Sequence, residues 1–267
     1  MKKIKLFSVL FFMIAVAIYG VFVIKEKANL DTEAPVIQCA TETLTASVSV
    51  TEEELLQDVT AMDEICGDVS DSLVIEKISE LTEEHSRVIT YAAIDEAGNV
   101  GRMQRTLIYS DYKEAKFSLS EALRFPMGTT VDLLGRVHAS SVLDGNLDDK
   151  IKYTMESSID IKSTGTYTVE YRVADSAGRT ISIPLQVEIY NPVEERIKLV
   201  LTDYLVYLKK NAKFDPEKYF VGSDIEAELS VHSNVNTSKP GLYTVEYQVS
   251  SGNSLGKSRL VVVVTES

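Results

Sequence analysis

Hydrophobic and polar positions alternate with period two through most of this chain. The clearest case is Tyr167–Arg179 (YTVEYRVADSAGR), where Tyr167, Val169, Tyr171 and Val173 fall on one face and Thr168, Glu170 and Arg172 on the other. Alternation among β-branched and aromatic residues predicts a strand with one face on a core. Asp175-Ser176-Ala177-Gly178 then predicts a turn. After it Ile181, Ile183, Leu185, Val187 and Ile189 alternate again, which completes a β-hairpin pattern. The pattern occurs three times. Ile89–Ile94 turns at Asp95–Asn99 toward Met103–Tyr109, and Tyr243–Val249 turns at Ser250–Asn253 toward Leu260–Val264. Tyr91, Tyr171 and Tyr247 align, 80 and 76 residues apart. A period this long means tandem domains rather than the short units of a solenoid. The three tyrosines lie on inward faces, so each is expected in a core with its hydroxyl on a backbone group.

Shorter matches extend the repeat. Leu55–Ala61 (LLQDVTA) and Leu133–Ala139 (LLGRVHA) are each followed, six residues after the final Ala, by a glycine, Gly67 and Gly145. Ala34-Pro35-Val36-Ile37 starts the first strand, with Pro35 at an edge position, and Leu44–Val50 reads as the second. Met127–Asp132 predicts a turn into a strand, with a counterpart in Lys210–Asp215. Gly128 and Asn211 then share one turn, and these residue types best tolerate positive φ. Gly165 and Gly241 precede the tyrosine strand, where the first repeat carries His85. Ile197–Leu208 fits a helical period by itself, but the repeat places the first two strands of the third domain there. The Val261–Val264 run reads as a last buried strand. The expectation is an all-β chain of three antiparallel β-sandwiches over residues 34–111, 112–191 and 192–267. The junctions Asp111–Lys116 and Tyr190–Glu195 are short and poor in Gly and Ser, so limited hinge motion is expected.

The N-terminus does not follow this pattern. Residues 6–24 carry no charge and follow a tail, residues 1–5, that holds Lys2, Lys3 and Lys5. A helix of that length spans about 28 Å at ~1.5 Å per residue, roughly the hydrocarbon thickness of a bilayer. It reads as a transmembrane signal anchor, followed by a spacer over residues 25–33. The basic residues ahead of it put the C-terminal domains outside a single-pass cell membrane. A cleaved signal peptide is the rival reading, because Ala15-Val16-Ala17 resembles an A-x-A site. Cleavage there would leave the apolar segment IYGVFVI as the mature terminus, which favours the anchor. Beyond residue 27 the chain holds 22 basic and 39 acidic side chains. Such a surface repels phosphate backbones, so no nucleic acid is expected as a partner.

Reactive residues are sparse. His85, His138 and His232 fall in three different repeats. No G-x-S-x-G, C-x-x-C, H-E-x-x-H or P-loop pattern occurs, so no enzymatic activity and no catalytic residue is expected. Calcium takes six to eight oxygen ligands. Asp63, Asp68 and Asp95 in the first repeat, and Asp144, Asp148 and Asp175 in the second, are the candidates to supply them. Without a D-x-D-x-D-G loop, the plainer reading is that these residues build turns. Cys39 and Cys66 both lie in the first repeat. An even count in an exported chain predicts a disulfide between them, which would contribute about 3 kcal/mol through loop closure.

Taken together, Asp31–Ile37, Gly67-Asp68, Tyr91…Asp95-Glu96-Ala97-Gly98-Asn99, Asp144-Gly145-Asn146-Leu147, Gly165–Tyr171…Asp175-Ser176-Ala177-Gly178 and Gly241–Tyr247 resemble the bacterial Ig-like domains of Gram-positive surface proteins and of some pesticidal crystal toxins. The first repeat is also similar to a hyalin-repeat module, through Ile37-Gln38-Cys39 and Asp63-Glu64-Ile65-Cys66-Gly67. The third repeat departs from the pattern, with no D-G-N-L counterpart and with Ser250–Asn253 in place of the D-x-A-G turn. The resemblance implies Ig-like antiparallel sandwiches that act as stalks, spacers or adhesion units. The expected function is therefore a non-enzymatic, membrane-anchored extracellular protein of a bacterial surface, with an unknown protein or glycan ligand. A cell-wall or host glycan-binding module and an accessory subunit of a membrane complex remain as alternatives.

Overall fold

The computed structural model describes residues 12–21, 31–82 and 84–266. The chain divides between Ser110 and Asp111 into two compact units. In the first, β1 (Val36–Cys39), β3 (Val59–Asp63) and β4 (Gly67–Asp68) form one sheet. The second sheet has the order β2-β7-β6-β5, from β2 (Thr43–Ala46), β5 (Val74–Ile78), β6 (Ser86–Ile94) and β7 (Val100–Tyr109).

The second unit builds the same plan twice. Strands β8 (Lys116–Leu119), β10 (Val137–Ser141) and β11 (Gly145–Asn146) pair beside a sheet β12-β13-β14-β9. That sheet comprises β9 (Arg124–Pro126), β12 (Lys152–Met155), β13 (Gly165–Ala174) and β14 (Thr180–Tyr190). Then β15 (Leu199–Leu201) pairs with β17 (Phe220–Ser223). The order β16-β20-β19-β18 joins β16 (Leu205–Lys209), β18 (Glu228–Ser233), β19 (Gly241–Ser251) and β20 (Ser254–Thr265).

One device recurs in all three repeats. The first strand pairs in one sheet, and the chain then crosses over to lie parallel to the last strand of the other sheet. These parallel pairs are β2 with β7, β9 with β14 and β16 with β20, and the other pairings between named strands among the described residues are antiparallel. The crossing strand pairs with the edge that β7, β14 or β20 would otherwise leave with unpaired backbone groups. The long hairpins β6-β7, β13-β14 and β19-β20 stand where the alternation puts them, with Tyr91, Tyr171 and Tyr247 fully buried. Each tyrosine hydroxyl donates to a backbone carbonyl: Leu55 at 2.7 Å, Leu133 at 2.9 Å and Pro216 at 2.6 Å. Ile197–Leu208 holds two strands rather than a helix. Gly128 and Asn211 both have positive φ, at 85° and 63°.

Several local readings need correction. Val131–Asp132 does not start a strand. The strand of that region, β9, precedes the Gly128 turn, and the chain runs through bends until β10 begins at Val137. Asp132 Oδ1 accepts the amides of Leu134 and Gly135, which holds that stretch as a turn. The first repeat also contains a five-residue helix, Glu52–Leu56, which alternation alone does not reveal. Its signal is Thr51-Glu52-Glu53-Glu54, a capping box in which Thr51 Oγ1 accepts from the Glu54 amide at 3.2 Å and Glu54 Oε2 from the Thr51 amide at 2.8 Å.

The cysteines are free thiols, not a disulfide. In the antiparallel β1-β3 pair, Cys39 lies opposite Val59 and Val36 opposite Met62. Cys66, beyond Met62, is therefore at the Val36 end, about 10 Å along the strand from Cys39 at ~3.3 Å per residue. A disulfide needs Cα atoms within about 7 Å.

Residues 12–21 are helical with their apolar side chains exposed. No helix among the described residues is long and apolar enough to cross a membrane. The rest of the expected span, residues 6–11 and 22–24, the tail 1–5 and residues 25–30 of the spacer lie outside the described residues.

Two glycines mark close approaches. Gly101 in β7 and Gly256 in β20 stand opposite Ala93 and Val249, each two residues past the core tyrosine. A Cβ at Gly101 would run into the carbonyl oxygen of Pro35, and one at Gly256 into that of Ile197. The incoming segments of the first and third domains thus lie directly on their last strands. Gly256→Ala is expected to destabilise the second unit by about 1–3 kcal/mol, the cost of overpacking. Denaturant unfolding with an unchanged m-value would show it.

Candidate functional site

Three buried or partly buried acids meet at the end of the first unit where the chain enters β1. Asp63 closes β3, and its Oδ1 accepts the amides of Ile65 at 2.9 Å and Cys66 at 2.7 Å. The Cys66 amide, with help from that of Ile65, holds the Asp63 carboxyl below its ordinary range against the effect of burial. Asp95 opens the β6-β7 turn. Its carboxylate takes the Asn99 amide and Asn99 Nδ2, each at 2.8 Å. Burial alone would raise its pKa, but the Asn99 bonds bring it below normal. Asn99 Nδ2 also reaches the Asp31 carbonyl at 3.3 Å, which docks the entering segment on the turn. The Glu96 backbone favours the Cys66 thiolate, but burial and the Asp63 charge outweigh it, so the thiol sits above its ordinary range. Asp31, Asp63 and Cys66 each place one ligand atom within 4.8 Å of the others. Asp68 stays out of this group. It faces solvent and accepts the Ser70 amide at 3.0 Å.

The second repeat uses the same positions differently. Ser141 pairs with Gly145 as Asp63 pairs with Gly67, so Ser141 and Asp144 correspond to Asp63 and Cys66. Asp144 Oδ2 accepts from Ser141 Oγ and the Ser176 amide, with Lys150 at 4.0 Å. Asp175, the counterpart of Asp95, takes the amides of Ala177 and Arg179 on Oδ1 and the Tyr112 hydroxyl, at 2.6 Å, on Oδ2. Asp148 lies apart and accepts from the Ala139 amide, with His138 Nδ1 at 2.8 Å. Asp144, Asp148 and Asp175 therefore act as turn and strand-end acceptors. Sequence reasoning named Asp63 and Asp95 but missed Asp31 and Cys66 as their neighbours. The available signal was the first-repeat pairing of an acid with a thiol around a turn glycine.

A second constellation joins the last two sandwiches. Val261 and Leu205 belong to the buried cluster of the β8–β14 sandwich, with Val263 and Tyr207 packed on it. Leu260, Val262 and Val264 point into the third sandwich. The Val261–Val264 run thus has apolar cover on both faces. Beside this seam, Arg124 Nε bonds Glu188 at 2.9 Å, and its Nη2 bonds Glu195 at 2.8 Å. Its Nη1 reaches the Lys257 carbonyl, and its side chain is 8% exposed. Arg259 adds ion pairs to Glu188 at 3.5 Å and to Glu246 at 3.1 Å. No motif marks this network, because its members come from four separated segments.

Residues 117–189 and 206–263 match the family described as bacterial surface protein, Ig-like domain. Among curated relatives, an 81.3 kDa protein of Acholeplasma phage L2 is 28% identical over 173 residues, 61% of this chain and 22% of its own length. The pesticidal crystal protein Cry22Aa of Bacillus thuringiensis is 30% identical over 124 residues, 42% of this chain and 16% of its own. The chain thus matches about a fifth of the length of these relatives. Among solved structures, the CBM51-2 and INT domains of Clostridium perfringens ZmpB, in complex with GlcNAc, show 12% identity and a TM-score of 0.23. They cover 86% of this chain and 42% of that one. Drosophila N-cadherin EC1-4 shows 15% identity and a TM-score of 0.22, covering 78% and 63%.

Proposed function

We propose that this chain, which carries bacterial surface Ig-like domains over residues 117–189 and 206–263, is a non-enzymatic extracellular stalk or adhesion module held to the cell membrane through residues 6–24. The observation that carries the mechanical part is the joint between the last two sandwiches. A shared apolar seam and a buried arginine network make them a stiff pair, so a load or a ligand at one is borne by both. The acidic surface keeps such domains away from anionic headgroups.

The test is to express the full chain with a C-terminal tag in a bacterial host. Protease added to intact cells should remove the tag, while the N-terminal part stays in the membrane fraction after alkaline washing. A tag protected until lysis would overturn the extracellular assignment. Release of the whole chain by the wash would overturn the anchor. Retention of the tagged protein on isolated walls would make adhesion, rather than spacing alone, its role.

A further inference from the structure

We infer that Cys39 is a site of oxidation by peroxides, and that the buried guanidinium of Arg105 holds the anion this oxidation makes. The inner faces of the first sandwich depart from the repeat at these two positions. Arg105 pairs with Ile89, two residues before Tyr91, as Leu185 pairs with Val169 before Tyr171 and Leu260 with Val245 before Tyr247. Leu185 and Leu260 are buried, and Arg105 is buried in their place at 4% exposure. Cys39 pairs with Val59 as the buried Leu119 pairs with Val137, at aligned points of LLQDVTA and LLGRVHA. Where the second repeat has two core leucines, the first has a thiol and a guanidinium.

The two side chains meet at Thr41. The Cys39 thiol donates to the Thr41 carbonyl at 3.0 Å, and Arg105 Nη2 donates to Thr41 Oγ1 at 2.8 Å. Both also act on the Tyr91 hydroxyl, whose pKa burial raises, Arg105 lowers and charge on Cys39 raises. A cleft of about 570 Å³ opens here with Cys39 and Arg105 in its wall, and Cys39 is partly exposed. Arg105 Nε and Nη1 are closed to solvent and have no hydrogen-bond partner. No acid among the described residues forms an ion pair with Arg105. A buried cation in that state is costly, and an anion removes the cost. Because the two nitrogens are closed to solvent, the anion that fits is one formed on a neighbouring side chain, not one that diffuses in.

Cys39 supplies it. Its sulfur attacks one oxygen of hydrogen peroxide or an organic hydroperoxide. An S–O bond forms, the O–O bond breaks, and the departing hydroxide or alkoxide takes the thiol proton and leaves as water or alcohol. Sulfur loses two electrons, the peroxide gains them, and a sulfenic acid results. A second peroxide gives the sulfinic acid in the same way, and release of its proton to solvent leaves the sulfinate. That group accepts charge-assisted hydrogen bonds from a guanidinium. Cys66 has the opposite setting. The Glu96 backbone favours its thiolate, but burial and the neighbouring Asp63 charge outweigh it and keep the thiol protonated to higher pH. This inference is independent of the stalk reading.

The experiment treats the purified full chain in detergent with hydrogen peroxide and reads each cysteine by peptide mass spectrometry, with dimedone added to trap sulfenic acid. Cys39 is expected to take up dimedone, or two oxygens in its absence, about tenfold faster than Cys66. Oxidation should raise the Tm of the wild type, and Cys39→Ser should not show that rise. The deciding variant is Arg105→Leu, which copies Leu185 and is expected to fold, since an apolar side chain replaces a buried charge. Oxidation should lower its Tm, because the sulfinate then lacks its partner. Circular dichroism checks that each variant is folded. Equal labelling of the two cysteines, faster labelling of Cys66, or a wild-type Tm that falls on oxidation would each overturn the inference, and none of these readings needs the leucine variant. An Arg105→Leu chain whose Tm rises as the wild type's does would overturn the role of Arg105.

Discussion

Tyr171→Ala is expected to destabilise the second unit by about 3–5 kcal/mol, the range for removing a large buried aromatic. Tyr171 is fully buried on β13 and ties two parts of its sandwich together. Its ring fills the core between Val169 and Val173, and its hydroxyl donates to Leu133 on the irregular stretch before β10. Tyr171→Phe separates the two contributions. It keeps the ring and leaves the Leu133 carbonyl without that donor, at a cost of about 1 kcal/mol. Chemical denaturation of both variants would check the pair, and equal losses would mean that the hydroxyl carries the whole effect. Burial raises the pKa of Tyr91, Tyr171 and Tyr247. The sign follows from linkage. A raised phenol pKa gives stability that is fully present below the ordinary value near pH 10 and is lost as pH climbs toward the folded value. Base titration of the wild type should therefore unfold it above about pH 10, and the phenylalanine variant should lose less of its own stability over that range.

What was legible in the sequence was whatever repeats locally. Alternation about Tyr91, Tyr171 and Tyr247 locates three hairpins and the buried face, because side chains on a strand change sides at every residue. The aligned turn of Gly128 and Asn211 was legible for the same reason. Contacts between segments far apart in sequence were not. The even cysteine count pointed to a disulfide, but counting cannot say which end of β1 each thiol occupies. The Val261–Val264 run read as a buried strand. Its missing alternation also reports a second covered face, since the matching strands β7 and β14 alternate where their outer faces meet water. That run was the available sign of the seam between the last two sandwiches. In the first unit, Asp63 and Asp95 were named from the type of residue. Asp31 escaped because its role depends on where the entering segment lands, which Gly101 permits by lacking a side chain.

Arg124→Ala is expected to cost about 3–5 kcal/mol at neutral pH and to loosen the joint between the last two sandwiches. The mechanism is the stranding of Glu188 and Glu195, whose side chains are only 21% and 12% exposed, without their guanidinium. Arg124→Met keeps most of the packing volume against Tyr190, so a similar loss there would assign the effect to charge rather than to the cavity. The pH dependence gives a second, independent reading. Burial would raise the Glu188 pKa, but Arg124 and Arg259 overcome it and hold the carboxyl below the ordinary glutamate value. Stability from this pair is present above that ordinary value, near pH 4.3, and is lost as pH falls through the folded one. Without Arg124 the balance reverses, because protonating Glu188 then relieves a buried charge. The penalty of the variant should therefore shrink as pH falls from 7 toward 4. A penalty that stayed constant over that interval would mean that Arg124 acts through packing alone. The same variant tests the mechanical proposal. If Arg124 stiffens the joint, small-angle scattering of Arg124→Met at neutral pH should broaden the distribution of separations between the two sandwiches, while the circular dichroism of each stays native.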